Sequence, residues 1–317
     1  MKIKFFASIL LLFLSVSILF SQSNLSNSVL ESNAIKTFDD IVSKYKYDNY
    51  YSINNLMIKI GHEFLGKPYV GHTLEINDSE QLVVNLSEFD CTTFAENCLA
   101  LARTLKNPVC TYDTFKKELS KIRYRNGELM DYTSRLHYFS DWIYDNEKKK
   151  IVSNISCKLG NVPFNNYVDF MSTHSENYKI LKNKPDFINI ISTIEKEISA
   201  RKSCYIPKND LKKYESLIQD GDILGITTNI KGLDITHVVL AIYENEELHM
   251  LHASSKYMKV VISTETLAEY LANRSDATGI VIARPYIWLI EAMQQALLLP
   301  VLCNFSAPQP PKGGVCK

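Results

Sequence analysis

Residues 87–97 read SEFDCTTFAEN, and this stretch decides how the rest of the chain is read. From Cys91 onward the apolar residues fall at positions 91, 94, 95, 98, 99 and 102. That is the i, i+3, i+4, i+7, i+8, i+11 series of a helix buried on one face. Its start is signalled by Ser87 with Asp90 as a capping box, or by Asp90 as the cap itself. Either reading puts Cys91 in the first turn. There the positive end of the helix dipole and unpaired backbone N–H groups favour a thiolate and can hold an oxyanion. A thiol used as a nucleophile needs a lowered pKa and a base. Cys91 also lies on the apolar stripe, so a plain core cysteine fits the same pattern.

Upstream, NAIKTFDDIVSKY and SINNLMIKIGHEFLG have helical spacing, the second with Ser52 as cap and Gly66 as stop. KPYVGHTLE is a loop around Gly71. Downstream, TFKKELSKI, SRLHYFSDWIYDN, NYVDFMSTH and FINIISTIEKEISAR read as helices. The texture then changes. DGDILGITT, THVVLAIY, ELHMLHAS, MKVVIST and TGIVIARP are short, β-branched and bounded by turn residues, which predicts an antiparallel meander. Helices first and strands later make the class α+β.

A base for Cys91 has to come from the strands. His237 begins one and His252 ends the next, with YENEEL between them. A turn over Asn245 and Glu246 pairs 244 with 247, so paired numbers sum to 491. His237 then lies opposite Ser254 and diagonal to His252, and both rings share one face of the sheet. His249 falls on the other face. Two aligned imidazoles suit a base and the group that orients its tautomer; they also suit satisfied polar positions at a sheet rim. A zinc site of Cys91, His237 and His252 is a further reading. It ranks below thiol chemistry, because no HxxxH or HExxH motif is present.

The chain has 317 residues, with Lys+Arg and Asp+Glu both 35. No basic stripe suits nucleic acid. The amino terminus has Lys2 and Lys4, an apolar run from Phe5 to Phe20 and small polar residues around Ser21. That predicts a signal peptide over 1–21, with a membrane anchor as the alternative, and hence export without stable membrane insertion after cleavage. Seven cysteines, an odd number, leave at least one free. Cys91 and Cys98 on one helix are about 10 Å apart. That is beyond the roughly 7 Å a disulfide spans, so they cannot pair.

The stretches GKPYVGHTLE, LVVNLSEFDCTTFAEN, YTSRLHYFSDWI, FMSTH, YIPK, GDILGITTNIKGLDITHVVLAIY and LHASS run in order from Gly66 to Pro285. Together they resemble the bacterial N-acetylmuramoyl-L-alanine amidase-like family, within the NlpC-type papain-like cysteine hydrolases. The resemblance implies a Cys-led helix on an antiparallel sheet and a peptidoglycan or muropeptide substrate, with no cofactor or metal. By motif, Cys91 would be the nucleophile, His237 the base and then acid, and His252 the orienting member. Tyr69 would line the cleft near the oxyanion.

The helix expected over SRLHYFSDWI would bring Ser134, Arg135 and His137 to the substrate. Arg135 would contact a stem-peptide or lactyl oxygen, or else form a structural ion pair. The related alternative is a peptidase cutting the γ-D-Glu to diamino-acid bond, with Asp90 gripping a free amine. A non-catalytic binder of wall fragments is the third. His72 departs from the small residue expected after YVG. The implied layout is a signal peptide over 1–21, a helical elaboration over 22–66, a papain-like domain over 67–288 and an appendage over 289–317. The implied location is the periplasm.

Overall fold

The computed structural model describes residues 29–47, 51–160, 162–165 and 167–286. The expected signal peptide, the segment 289–317 and the cysteines at 303 and 316 lie outside the described residues.

Helix α1 covers 29–45 and buries Ala34, Phe38 and Ile41, which share one helical face. α2 (Ile53–Glu63) starts where expected, because Ser52 and Asn55 cap it reciprocally. α3 (Cys91–Lys106) starts at the predicted residue, with Asp90 as its cap. α4 (Tyr112–Arg123) is capped by Thr111, and α5 (Phe139–Lys148) follows.

The sequence suggested burial of one face of α3. The structure buries every residue from Thr93 to Leu105, because α2, α4 and the sheet surround this helix. Its polar residues therefore need internal partners. Glu96 accepts from Arg123 Nε at 2.7 Å and from Trp142 Nε1 at 3.2 Å, and Arg103 Nε donates to Glu118 at 2.6 Å.

The strands are β1 (Val152–Asn154), β2 (Val162–Pro163), β3 (Cys204–Pro207), β4 (Ile223–Thr228), β5 (Ile235–Glu244), β6 (Glu247–Ser254), β7 (Lys259–Ile262) and β8 (Ala277–Pro285). They form one antiparallel sheet in the order β2-β3-β8-β4-β5-β6-β7, with β1 also on β8. The class is the α+β expected, but the meander runs only from β4 to β7, since β8 returns to pair with β4. Val238, Leu240, Leu251 and Ala253 join the core around α3, while Val239, Ala241, Leu248 and Met250 build a second core on the opposite face. Gly225 on β4 lets α5 approach: a Cβ there would stand 2.5 Å from Phe139 Cδ1.

The β5–β6 hairpin has the predicted register, Glu244 with Glu247 and Tyr243 with Leu248. Asn245 and Glu246 both have positive φ, 51° and 70°, as a two-residue type I′ turn requires. Two expected helices are corrected. NYVDFMSTH is helical only over Phe170–Thr173, and Val168 is instead bridged to Gly232. SRLHYFSDWI is not continuous: Tyr132–Ser134 is a 3-10 turn, Arg135 is extended, and α5 begins only at Phe139.

The disulfide joins Cys157 to Cys204, a pairing the sequence left open. Cys91, Cys98 and Cys110 are free. Among the described residues no helix is long and apolar enough to cross a membrane.

Candidate active site

The amino end of α3 fixes Cys91. Asp90 Oδ1 accepts from the Thr93 backbone N–H at 2.7 Å, and Asp90 N–H donates to Thr93 Oγ1 at 2.9 Å. Asp90 is therefore a cap, and Oδ1 also accepts from the Thr93 hydroxyl at 2.9 Å. The amine-gripping role raised for Asp90 is not supported, since this carboxylate is engaged in its own helix.

Cys91 is half-buried, with the Val238 N–H and Thr92 hydrogen-bonded to it. Burial, then the Asp90 charge, push its thiol up to about 11, against the pull of those hydrogen bonds. The expectation of a lowered thiol pKa is corrected: the resting group is a neutral thiol.

β5 carries an irregularity beside the site. Ile226 pairs with His237, but the next β4 residue, Thr227, pairs with Ile235, so Thr236 is an extra residue in the strand. Such a bulge re-aims side chains near a site. His237 Nε2 and His252 Nδ1 are 2.6 Å apart, with the rings nearly perpendicular at 75°. The face-sharing predicted from the hairpin register is what allows this contact. Burial pushes the His237 pKa down to about 3, helped by the charges of His252 and Arg274; burial alone lowers His252 to about 4. Both rings are neutral. In this arrangement one nitrogen of each ring is taken up by the other ring. Among the described residues no group of three or more His, Cys, Asp or Glu could hold a metal.

Cys91, His237 and His137 border one cavity of about 230 Å³. Its walls include Leu136, Phe139, Trp142, Met171, Leu233 and Ile235, and among the described residues its only carboxylate is Asp234. No lysine or arginine lines it among the described residues. A smaller cavity of about 150 Å³ lies at the other side of His237 and also touches His252.

Asp234 was given no role by sequence reasoning. It is 2% exposed; Oδ2 accepts from the Ser140 N–H at 2.7 Å and Oδ1 from the Ile235 N–H at 2.8 Å. It thereby supplies α5 with the first-turn acceptor that Tyr138, the residue at the cap position, lacks. Burial raises its pKa.

Tyr69 is half-buried, paired with Phe89 in an isolated bridge, and its hydroxyl feels the charges of Cys91 and Asp90 after burial itself. It is close enough to Cys91 to feel it electrostatically, but it is not among the described residues that line the cavity beside Cys91. Arg135 Nε and Nη2 donate to the two oxygens of Glu80 at 2.9 and 2.6 Å, and Nη1 donates to Glu75 at 2.7 Å. Of its two readings, the ion pair is the one the structure contains. Ser134 is also corrected: its hydroxyl donates to Asp131 O and accepts the Met130 and Asp131 N–H groups, closing the 3-10 turn. His137 alone of that trio borders the cavity. His72 is exposed, with a positive φ of 60°.

The AmiA-like family model, described as N-acetylmuramoyl-L-alanine amidase-like, matches residues 59–280. The chain belongs to this family. The crystal structure of an N-acetylmuramoyl-L-alanine amidase from Bacteroides uniformis is 36% identical, with a TM-score of 0.71, covering 74% of this chain and 99% of that one. A Bacteroides fragilis protein described as a xylanase is 39% identical, with a TM-score of 0.69, covering 71% of this chain and 99% of its own. A Legionella pneumophila protein shares the fold at 23% identity and a TM-score of 0.62, covering 82% of this chain and 97% of that one. No curated protein matches the chain.

Proposed function

We propose that this amidase-like chain hydrolyses the amide between the lactyl group of N-acetylmuramic acid and L-Ala, through Cys91, His237 and His252 in a papain-like site. The observation that carries the choice of bond is the cavity beside Cys91, which is free of cationic side chains and holds a buried carboxylate. Both groups flanking the muramoyl–L-Ala amide are uncharged. The γ-D-Glu to diamino-acid bond has a free α-carboxylate beside it, which this cavity would leave unpaired. The xylanase description of one relative is not favoured, because glycoside hydrolysis uses two carboxyl groups and Asp234 is the only one lining the cavity among the described residues.

In the productive tautomer His237 Nε2–H donates to His252 Nδ1, leaving a lone pair on His237 Nδ1. The resting thiol is neutral, so its proton passes to His237 as the sulfur attacks the lactyl carbonyl carbon. First-turn N–H groups of α3 and the Tyr69 hydroxyl serve the oxyanion. His237 then gives the proton to the L-Ala nitrogen, the C–N bond breaks, and a lactyl thioester remains on Cys91. A water deprotonated by His237 hydrolyses the thioester and restores the thiol.

The protein is proposed to act after export, in the periplasm. The leader-like amino terminus and the Cys157–Cys204 disulfide support that location. The function is tested by mass spectrometry of muropeptide digests. Free peptides beginning with L-Ala are expected, absent with Cys91→Ala. Shortened stems still attached to sugar would replace this reading with the peptidase.

A further inference from the structure

We infer that His137 selects substrates through the N–H of the 2-acetamido group on the muramoyl sugar. The inference rests on the amidase reading above and adds a residue that distinguishes sugar forms.

The argument starts from one hydrogen bond. His137 Nε2 lies 2.7 Å from the Tyr132 carbonyl oxygen. A carbonyl only accepts, so Nε2 carries the proton and Nδ1 of the neutral ring presents a bare lone pair. The ring is held against Tyr132, with centroids 4.4 Å apart. Burial, reinforced by the charges of Arg135 and Arg125, lowers its pKa to about 3, so the ring stays neutral in ordinary buffers. His137 borders the same cavity as Cys91, and among the described residues no hydrogen bond engages Nδ1. The cavity lining therefore includes a fixed ring whose second nitrogen is an acceptor.

The surroundings narrow the ligand. Apolar walls from Leu136, Phe139, Met171, Leu233 and Ile235 stand beside this acceptor, with no cation. A group matching that arrangement carries one donor next to a small apolar end and has no charge. The acetamido substituent is such a group, with its N–H on His137 Nδ1 and its methyl on the apolar wall. A cavity of about 230 Å³ has room for it. A bare hydroxyl would satisfy the nitrogen but leave the wall unfilled.

The test uses two muramoyl–L-Ala compounds that differ at one atom, one with the natural acetamide and one with an O-acetyl ester, which keeps the methyl and carbonyl but has no N–H. Cys91→Ala protein is titrated calorimetrically with each, and wild-type enzyme is assayed for cleavage of each. The acetamide is expected to bind about 10-fold more tightly, the ratio a single lost hydrogen bond gives. In the Cys91→Ala background, His137→Phe keeps a flat ring beside Tyr132 but has no acceptor, and the preference should fall to near unity, with the melting temperature measured alongside to show that the variant is folded. Equal binding of the two compounds by protein that retains His137, or a preference that survives in folded His137→Phe, overturns the inference. Wild-type cleavage at another bond would sink the amidase reading instead, while the binding ratio still judges His137.

Discussion

Replacing Arg135 by Met separates a structural arginine from a substrate contact. The Arg135 side chain is 8% exposed, and its partners Glu80 and Glu75 are 4% and 20% exposed. Removing the guanidinium strands Glu80 in the interior with the Tyr124 hydroxyl as its remaining side-chain donor, at 2.7 Å. Breaking a buried pair from one side costs about 3–5 kcal/mol. For a domain of this size each kcal/mol lowers Tm by about 2–4 °C, so the variant should melt roughly 6–20 °C below wild type.

Calorimetric melts of the variant and of wild type read the deficit. KM should be unchanged at a temperature where the variant is folded. A variant that melts with wild type and shows a raised KM would refute the ion-pair assignment and return Arg135 to the cleft.

The histidine pair sets the acid limb of catalysis. Burial holds both His237 and His252 well below the ordinary imidazole value, so kcat/KM should hold steady from neutral pH to well below about pH 6.5 rather than falling near it. A limb near pH 6.5 would contradict the buried neutral pair. The same groups act on stability: their folded pKa values lie below the unfolded one, so the stability they contribute is full above about 6.5 and lost as pH falls toward the folded values. Melts at pH 7 and pH 5 measure it, with the lower Tm at pH 5. Asp90→Ala removes a cap worth about 1 kcal/mol and also a charge that raises the Cys91 pKa. The variant should melt lower yet react faster with iodoacetamide at a given pH; slower alkylation would contradict the electrostatic account. Serine at both 157 and 204 opens a loop of 47 residues. Chain-entropy reasoning puts that loss at about 4 kcal/mol, read as a drop in denaturation midpoint.

Much of this site was legible because it is built from local rules. The start of α3 followed from Asp90 and the apolar series after Cys91, and the hairpin register followed from two turn residues able to take positive φ. That register alone put His237 and His252 on one face. What stayed hidden depends on contacts distant in sequence. Arg135 meets Glu75 and Glu80, 60 and 55 residues away, and nothing in YTSRLHYF announces those partners. Asp234 supplies an acceptor to α5 across 94 residues, so a helix with no cap of its own still starts cleanly. The apolar spacing of SRLHYFSDWI imitated one helix because a 3-10 turn and an extended residue happened to keep its apolar side chains inward. The thiol pKa was misjudged from the helix dipole alone, since the first turn of α3 is enclosed and lies beside an acidic cap.

Attack by the Cys91 sulfur on the lactyl carbonyl is the claim on which the rest depends. Acid-quenched intact-protein mass spectrometry during turnover of a muropeptide tests it most directly. The account predicts a transient adduct with the mass of the N-acetylmuramoyl acyl group, mapped to Cys91 and labile to hydroxylamine. Free L-Ala-led peptide should appear in equal amount. Release of that peptide by Cys91→Ala protein, or an adduct carrying a peptide acyl group instead of the sugar, would contradict it.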